Sequence, residues 1–126
     1  MNRINAWNPD LAIEFHLNSS SPCATGTEMV LSKKWEKHLF GFPVQALELS
    51  EKINDVLGDI GLRENKYRGR WHPNGGYFLN KTKCKAIIAE TFFICNNSDL
   101  AKANENYDAL VQVYVDWIVN YFKETQ

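Results

Sequence analysis

From residue 100 to residue 122 the apolar side chains Leu100, Ala103, Tyr107, Leu110, Tyr114, Trp117 and Tyr121 return every three or four positions. That spacing predicts an amphipathic helix lying on a core, with Asn97 and Ser98 as candidate caps at its start. A second stripe runs through residues 43–60, at Val44, Leu47, Ile53, Val56, Leu57 and Ile60. Pro43 suits the first turn of that helix and Gly61 its stop.

Between and before the helices the period changes. Residues 11–17 alternate, with Leu11, Ile13, Phe15 and Leu17 on one side and Ala12, Glu14 and His16 on the other, which predicts a strand. The cluster Asn18-Ser19-Ser20-Ser21-Pro22 is loop chemistry, and residues 27–31 supply a second short strand. Residues 86–89, Ala-Ile-Ile-Ala, form a continuous apolar run suited to a strand buried on both faces, ended by Glu90. Residues 61–76 are rich in Gly, Pro and Arg and predict a long polar loop with a functional role. Strands alternating with helices make this an α/β protein: one domain over residues 1–126, a largely parallel twisted sheet, and helices on both faces.

The totals narrow the partners. Fourteen basic and fifteen acidic side chains leave a formal charge of -1, so no broad field gathers nucleic acid or an anionic membrane. No apolar run approaches the roughly 20 residues of a membrane-spanning helix. Residues 1–5 carry a charge with no apolar run or small-residue cleavage site behind it, so no secretory signal is expected and the chain reads as cytoplasmic. Cys23, Cys84 and Cys95 are an odd set without C-x-x-C spacing, expected to be reduced thiols rather than a disulfide framework or a cysteine zinc site.

Ligands in open α/β sheets bind beyond the carboxyl ends of the strands, which singles out His16 and Glu90. A neutral imidazole is a good zinc ligand, and a carboxylate beside a metal-bound water can take its proton. Each residue also has an ordinary reading: a hydrogen-bonded strand histidine, and a solvated or turn-capping carboxylate.

Larger motifs bear on that choice. The segment Pro9-Asp10-Leu11-Ala12-Ile13-Glu14-Phe15-His16-Leu17-Asn18 resembles a strand of the zinc amidases (amidase type 3, N-acetylmuramoyl-L-alanine amidases) that reads aspartate, apolar strand, His-x-Asn. Thr25-Gly26-Thr27-Glu28 is similar to that family's Gly-x-Glu lead-in to the next strand. Ser50, then Tyr67-Arg68-Gly69, then Lys85-Ala86-Ile87-Ile88-Ala89-Glu90-Thr91-Phe92-Phe93-Ile94-Cys95-Asn96 and Asp99-Leu100 follow in the family's order. The resemblance covers about residues 9 to 122.

It implies that His16 is the third zinc ligand and Glu90 the catalytic glutamate, with Asn18 and Arg68 on the substrate. The implied substrate is peptidoglycan, its stem peptide and its glycan, cut at the amide between N-acetylmuramic acid and L-alanine. The implied cofactor is zinc, in a site incomplete within this chain. The family's first two ligands, a histidine in a His-Gly-Gly turn and a glutamate, have no counterpart here, so an N-terminally truncated amidase fold is expected. A partner chain supplying the missing ligands and a non-catalytic wall-binding pseudoenzyme are the alternatives. Lys85, the paired Phe92-Phe93 and Cys95 depart from the family pattern and suggest a divergent, phage-type branch that acts on the wall once released, an endolysin. His38 and His72 lie in no matching motif and read as surface or loop histidines. Glu14 reads as a charge facing a polar cleft. Arg63, Arg70, Trp71 and His72 either hold stem-peptide carboxylates or a sugar face, or form a solvated loop.

Overall fold

In the computed structural model, which describes residues 2–124, the alternation of strands and helices is realised as one four-stranded sheet. Met1, which begins the segment read as lacking an export signal, lies outside the described residues. The elements run α1 (Asn2–Trp7), β1 (Leu11–Asn18), β2 (Glu28–Ser32), α2 (Phe42–Val56), β3 (Lys66–Arg68), α3 (Gly76–Lys81), β4 (Lys85–Phe93), α4 (Asn97–Glu105) and α5 (Tyr107–Glu124), with a 3-10 turn over Lys33–Trp35. The strand order is β1-β4-β2-β3. β1 pairs with β4, and β2 with β3, in parallel; the central β2–β4 pair is antiparallel. The sheet is therefore largely parallel, as expected, with one antiparallel joint at its centre.

The two-residue period of a strand divides the sheet's side chains between its faces. Met29, Leu31, Ile87 and Ala89 point to one face, where Ala46, Leu49 and Ile53 of α2 and Leu110, Trp117 and Tyr121 of α5 cover them. Val30, Ala86 and Ile88 belong to the other face, covered by Leu79 of the short α3. β4 is buried on both sides, which explains its unbroken apolar run. Burying a Leu or Ile side chain stabilises by about 1.5–3 kcal/mol, so the larger layer carries most of the stability. The indole of Trp117 sits in that layer because its Nε1–H donates to the Gln45 carbonyl at 2.8 Å. No helix among the described residues is long and apolar enough to cross a membrane.

Several local expectations need correction. α2 stops at Val56 rather than near Ile60, because Gly58 (φ 76) and Asp59 (φ 60) turn left-handed three and two residues before Gly61. Asn54 fixes that stop: its Nδ2 donates to Asp59 Oδ1 at 2.9 Å, and its Oδ1 accepts from the Gly61 amide at 2.8 Å. The C-terminal stripe is two helices that break at Asn106, whose Nδ2 donates back to the Lys102 carbonyl at 2.8 Å. The cap at its start is Asn96, whose Oδ1 accepts from the Asp99 amide at 3.0 Å, not Asn97 or Ser98. The polar loop 61–76 contains β3, and α1 and α3 were not anticipated; six-residue helices show too few turns for a period to register.

The cysteines also differ from expectation. Cys23 and Cys95, 72 positions apart, form a disulfide, and Cys84 alone is free. Spacing carried no hint of the bond. It exists because β1 and β4 are parallel neighbours, so the loops that leave their carboxyl ends meet.

Candidate functional site

Because α3 is short, it covers only part of its face, and the carboxyl ends of β1 and β4 stay open there. Glu14 and His16 of β1, Glu90 of β4 and Glu28 of β2 lie on this face with Ala12, Ile88 and Val30. The register sets three of them in a row: His16 opposite Glu90, and Glu90 opposite Glu28. Immediately beyond, β1 advances two residues while β4 advances three, so Asn18 faces Phe93 across a bulge. Bulges bend a strand and re-aim its side chains, and this one ends the regular ladder just past Glu90.

His16 and Glu90 line a cleft of about 460 Å³ with Asn18, Ser19, Arg68 and Asn74 on its walls. His16 Nδ1 lies 3.2 Å from Glu90 Oε1, and His16 Nε2 lies 3.5 Å from Glu14 Oε1. Glu90 is only 6% exposed, and its Oε2 has no hydrogen-bond partner within the protein. Burial pushes the Glu90 carboxyl above the usual carboxylate range; His16 and Arg68 oppose the shift, and the charges of Glu28 and Glu14 add to it. A carboxyl so placed has one oxygen beside the imidazole and the other buried without a hydrogen-bond partner.

Glu28, 1% exposed, is the opposite kind of carboxylate. Arg63 Nε donates to its Oε2 at 3.0 Å, Lys66 Nζ lies 3.4 Å from Oε1, and Asn18 Nδ2 donates to Oε1 at 2.7 Å. The last bond reaches from β1 to β2 across the intervening β4 and clamps the end of the cleft. The Asn18 Oδ1 accepts from the Ser19 amide at 2.9 Å, and the Asn18 carbonyl accepts from the Ile94 amide at 2.9 Å. On the opposite face, behind β4, the Thr91 and Tyr114 hydroxyls share a 2.6 Å hydrogen bond, and burial pushes the Tyr114 phenol up to about 12.

All four residues singled out from the sequence, His16, Glu90, Asn18 and Arg68, come together on this cleft, and Glu14 joins them. His38 and His72 do not line it: His38 packs on Trp35, and His72 Nδ1 accepts from the Asn74 amide. Arg63 leaves the polar loop to serve Glu28, and its guanidinium lies over the Phe93 ring. The clamp built on Glu28 and the wall at Asn74 and Gly75 were missed. Glu28 lies in the Thr25–Glu28 motif but its partners are distant in sequence, and nothing in residues 73–75 signals that they fold back onto Ile88. Among the described residues no group of three or more His, Cys, Asp or Glu side chains is placed to hold a metal ion.

Comparison with known proteins places this arrangement. The family model for N-acetylmuramoyl-L-alanine amidase matches residues 1–120. No curated protein matches the chain. Among solved structures, the catalytic domain of the CD27L endolysin targeting Clostridia difficile is 30% identical with a TM-score of 0.66, over 94% of this chain and 59% of that one. An N-acetylmuramoyl-L-alanine amidase from Clostridium difficile 630 is 21% identical with a TM-score of 0.77, over 99% and 64%. The catalytic domain of the amidase CwlV from Bacillus (Paenibacillus) polymyxa var. colistinus is 18% identical with a TM-score of 0.72, over 97% and 63%. The chain thus spans less than two thirds of the length of each of these structures. The last two likenesses speak for the fold alone, and the family model, covering nearly the whole sequence, shows that this chain belongs to the N-acetylmuramoyl-L-alanine amidase family.

Proposed function

We propose that this cleft takes part in hydrolysing the amide between the lactyl group of N-acetylmuramic acid and the L-alanine of the peptidoglycan stem peptide, with Glu90 as the proton-transfer group. The observation that carries the reading is the state of Glu90: a nearly enclosed side chain in the cleft lining, with one oxygen beside His16 and the other buried without a partner. In an amide hydrolysis Glu90 takes a proton from the attacking water and passes it to the departing amine as the C–N bond breaks. Arg68 and Asn18, on the walls, are proposed to hold the substrate. Asn18 keeps one N–H and one lone pair beyond those engaged by Glu28 and Ser19.

The zinc implied by the family does not fit the described residues alone, since a catalytic zinc normally takes three protein ligands and no such group is present among them. His16 is the side chain proposed to hold the ion, and only in an assembly where a partner chain or further polypeptide contributes the remaining ligands. The same shortfall favours one second reading, a wall-binding protein that keeps the cleft without turnover.

The test measures release of stem peptides from purified peptidoglycan by the parent, Glu90→Gln and His16→Ala, supplied with zinc and with polypeptide carrying the absent ligands, and bound metal is measured in parallel. Glu90→Gln is expected to lose roughly 10²–10⁴-fold in rate with its metal retained, and His16→Ala to lose metal and rate together. Near-normal turnover by Glu90→Gln removes the proton-transfer role. No release by the parent leaves the wall-binding reading.

A further inference from the structure

Residues 69–75 form a turn whose tip stands beside the cleft, with Pro73, Asn74 and Gly75 in the cleft wall. The turn is stiff. The His72 amide donates to the Gly69 carbonyl and the Gly76 amide to the His72 carbonyl, both at 3.1 Å. Arg68 Nη1 donates to the Asn74 carbonyl, and Asn80 Nδ2 ties the base of the turn through the carbonyls of Arg68 (3.0 Å) and Gly76 (2.7 Å). The two limbs touch at a glycine: a Cβ on Gly76 would meet the Gly69 carbonyl oxygen at 2.2 Å.

This rigid turn displays Trp71 with 81% of its surface exposed. Single exposed apolar side chains are ordinary, and most of them sit on mobile or featureless surface. Trp71 is held differently: the Arg70 guanidinium lies 4.5 Å from its ring centroid, backing the indole with a cation. That contact favours one orientation of the indole before a ligand arrives, which lowers the ordering cost of binding.

We infer that Trp71 is a stacking platform for a saccharide ring at the rim of the His16–Glu90 cleft. An indole face is electron-rich and attracts the weakly positive C–H bonds that a pyranose presents across its flat side. The adjoining walls are polar, with Asn18, Ser19, Arg68 and Asn74 available to hydroxyls and to an acetamido group. A neutral ring with one C–H face and a hydroxyl-bearing edge matches that combination. The inference rests on the peptidoglycan reading above and assigns the glycan, rather than the stem peptide, to this rim.

The test uses the full 126-residue chain and two probes: peptide-free glycan strands of alternating N-acetylglucosamine and N-acetylmuramic acid, and free stem peptides. Binding of each is measured for the parent, Trp71→Ala, Trp71→Phe and Trp7→Ala. Trp7, 87% exposed on α1 and outside the turn that supplies Pro73, Asn74 and Gly75 to the cleft wall, controls for exposed indole in general. The parent is expected to bind the strands, Trp71→Ala to bind them roughly tenfold more weakly, Trp71→Phe to recover most of the loss, and Trp7→Ala to match the parent. Parental binding to stem peptides but not to strands, absence of strand binding, or equal binding by Trp71→Ala overturns the inference. Hydrolysis is scored separately, with zinc and the polypeptide carrying the absent ligands supplied. Peptide release with Trp71-independent strand binding sinks this inference alone, and Trp71-dependent binding without release sinks the hydrolase reading alone.

Discussion

Removing the Cys23–Cys95 bond, by reductant or as Cys23→Ser/Cys95→Ser, is expected to lower stability through the unfolded chain. The cysteines are 72 positions apart, so the bond closes a loop of more than half the protein. Chain-entropy arguments give a cross-link of that span about 4 kcal/mol. The folded state has other fastenings at the same place: Asn96 Nδ2 donates to the Ala24 carbonyl at 3.2 Å, the Gly26 amide to Asp99 Oδ2 at 3.2 Å, and the Thr25 hydroxyl to Asp99 Oδ1 at 2.5 Å. The two loops therefore stay together when the bond is cut, and the loss falls mostly on the freedom regained by the unfolded chain. For a domain of this size about 4 kcal/mol corresponds to roughly 12–20 °C in melting temperature. Calorimetry and urea unfolding of the oxidised parent, the reduced parent and the double variant measure it, with thiol alkylation to verify the redox state. The urea slope should rise on reduction, because a chain without the cross-link exposes more surface when it unfolds. A double variant that melts within about 2 °C of the oxidised parent, with an unchanged slope, would refute the entropic account.

Three further outcomes are expected. Ile87→Ala, at a fully buried position in the larger layer, should cost about 2–5 kcal/mol in urea unfolding, since the close-packed neighbours cannot collapse fully into the space. Gly26→Ala should cost about 1–3 kcal/mol: φ there is +118°, and the new Cβ would lie 2.7 Å from the Gly61 carbonyl oxygen, a backbone atom that cannot swing aside. Tyr114 holds its proton more tightly in the fold than in the unfolded chain, so its contribution is intact below about pH 10 and is lost as pH rises through 10 toward 12. That loss amounts to about 2–3 kcal/mol, and the alkaline fall in stability should be visibly shallower in Tyr114→Phe.

Three of the four strands, and the nearness of His16 to Glu90, were legible because periodicity reports directly which side chains share a face. The alternation at residues 11–17 put Glu14 and His16 together, and the doubly buried run at 86–89 pointed to Glu90, although β4 continues to Phe93 instead of ending there; the register then made His16 and Glu90 neighbours. What escaped the sequence were interactions between residues distant along the chain. The Glu28 clamp draws Asn18, Arg63 and Lys66 from three separate segments, and the cysteines became partners only once β1 and β4 lay side by side. Helix ends were misjudged for a local reason: Asn54 and Asn106 capture backbone groups with their side chains, and apolar spacing does not register such competition.

The pairing of β1 with β4 also says when the cleft can come into being. His16 and Glu90 stand on adjacent strands, yet the chain between them forms β2, α2, β3 and α3. Bringing the two strands together closes a long loop whose entropy must be offset by contacts that largely involve those intervening elements. The helices and the β2–β3 pair can organise from shorter-range contacts, whereas the His16–Glu90 juxtaposition requires the first and last strands to find each other. The cleft is accordingly expected to form late in folding, and a probe attached at its mouth is expected to report arrival at the native topology after helix content has reached its final value.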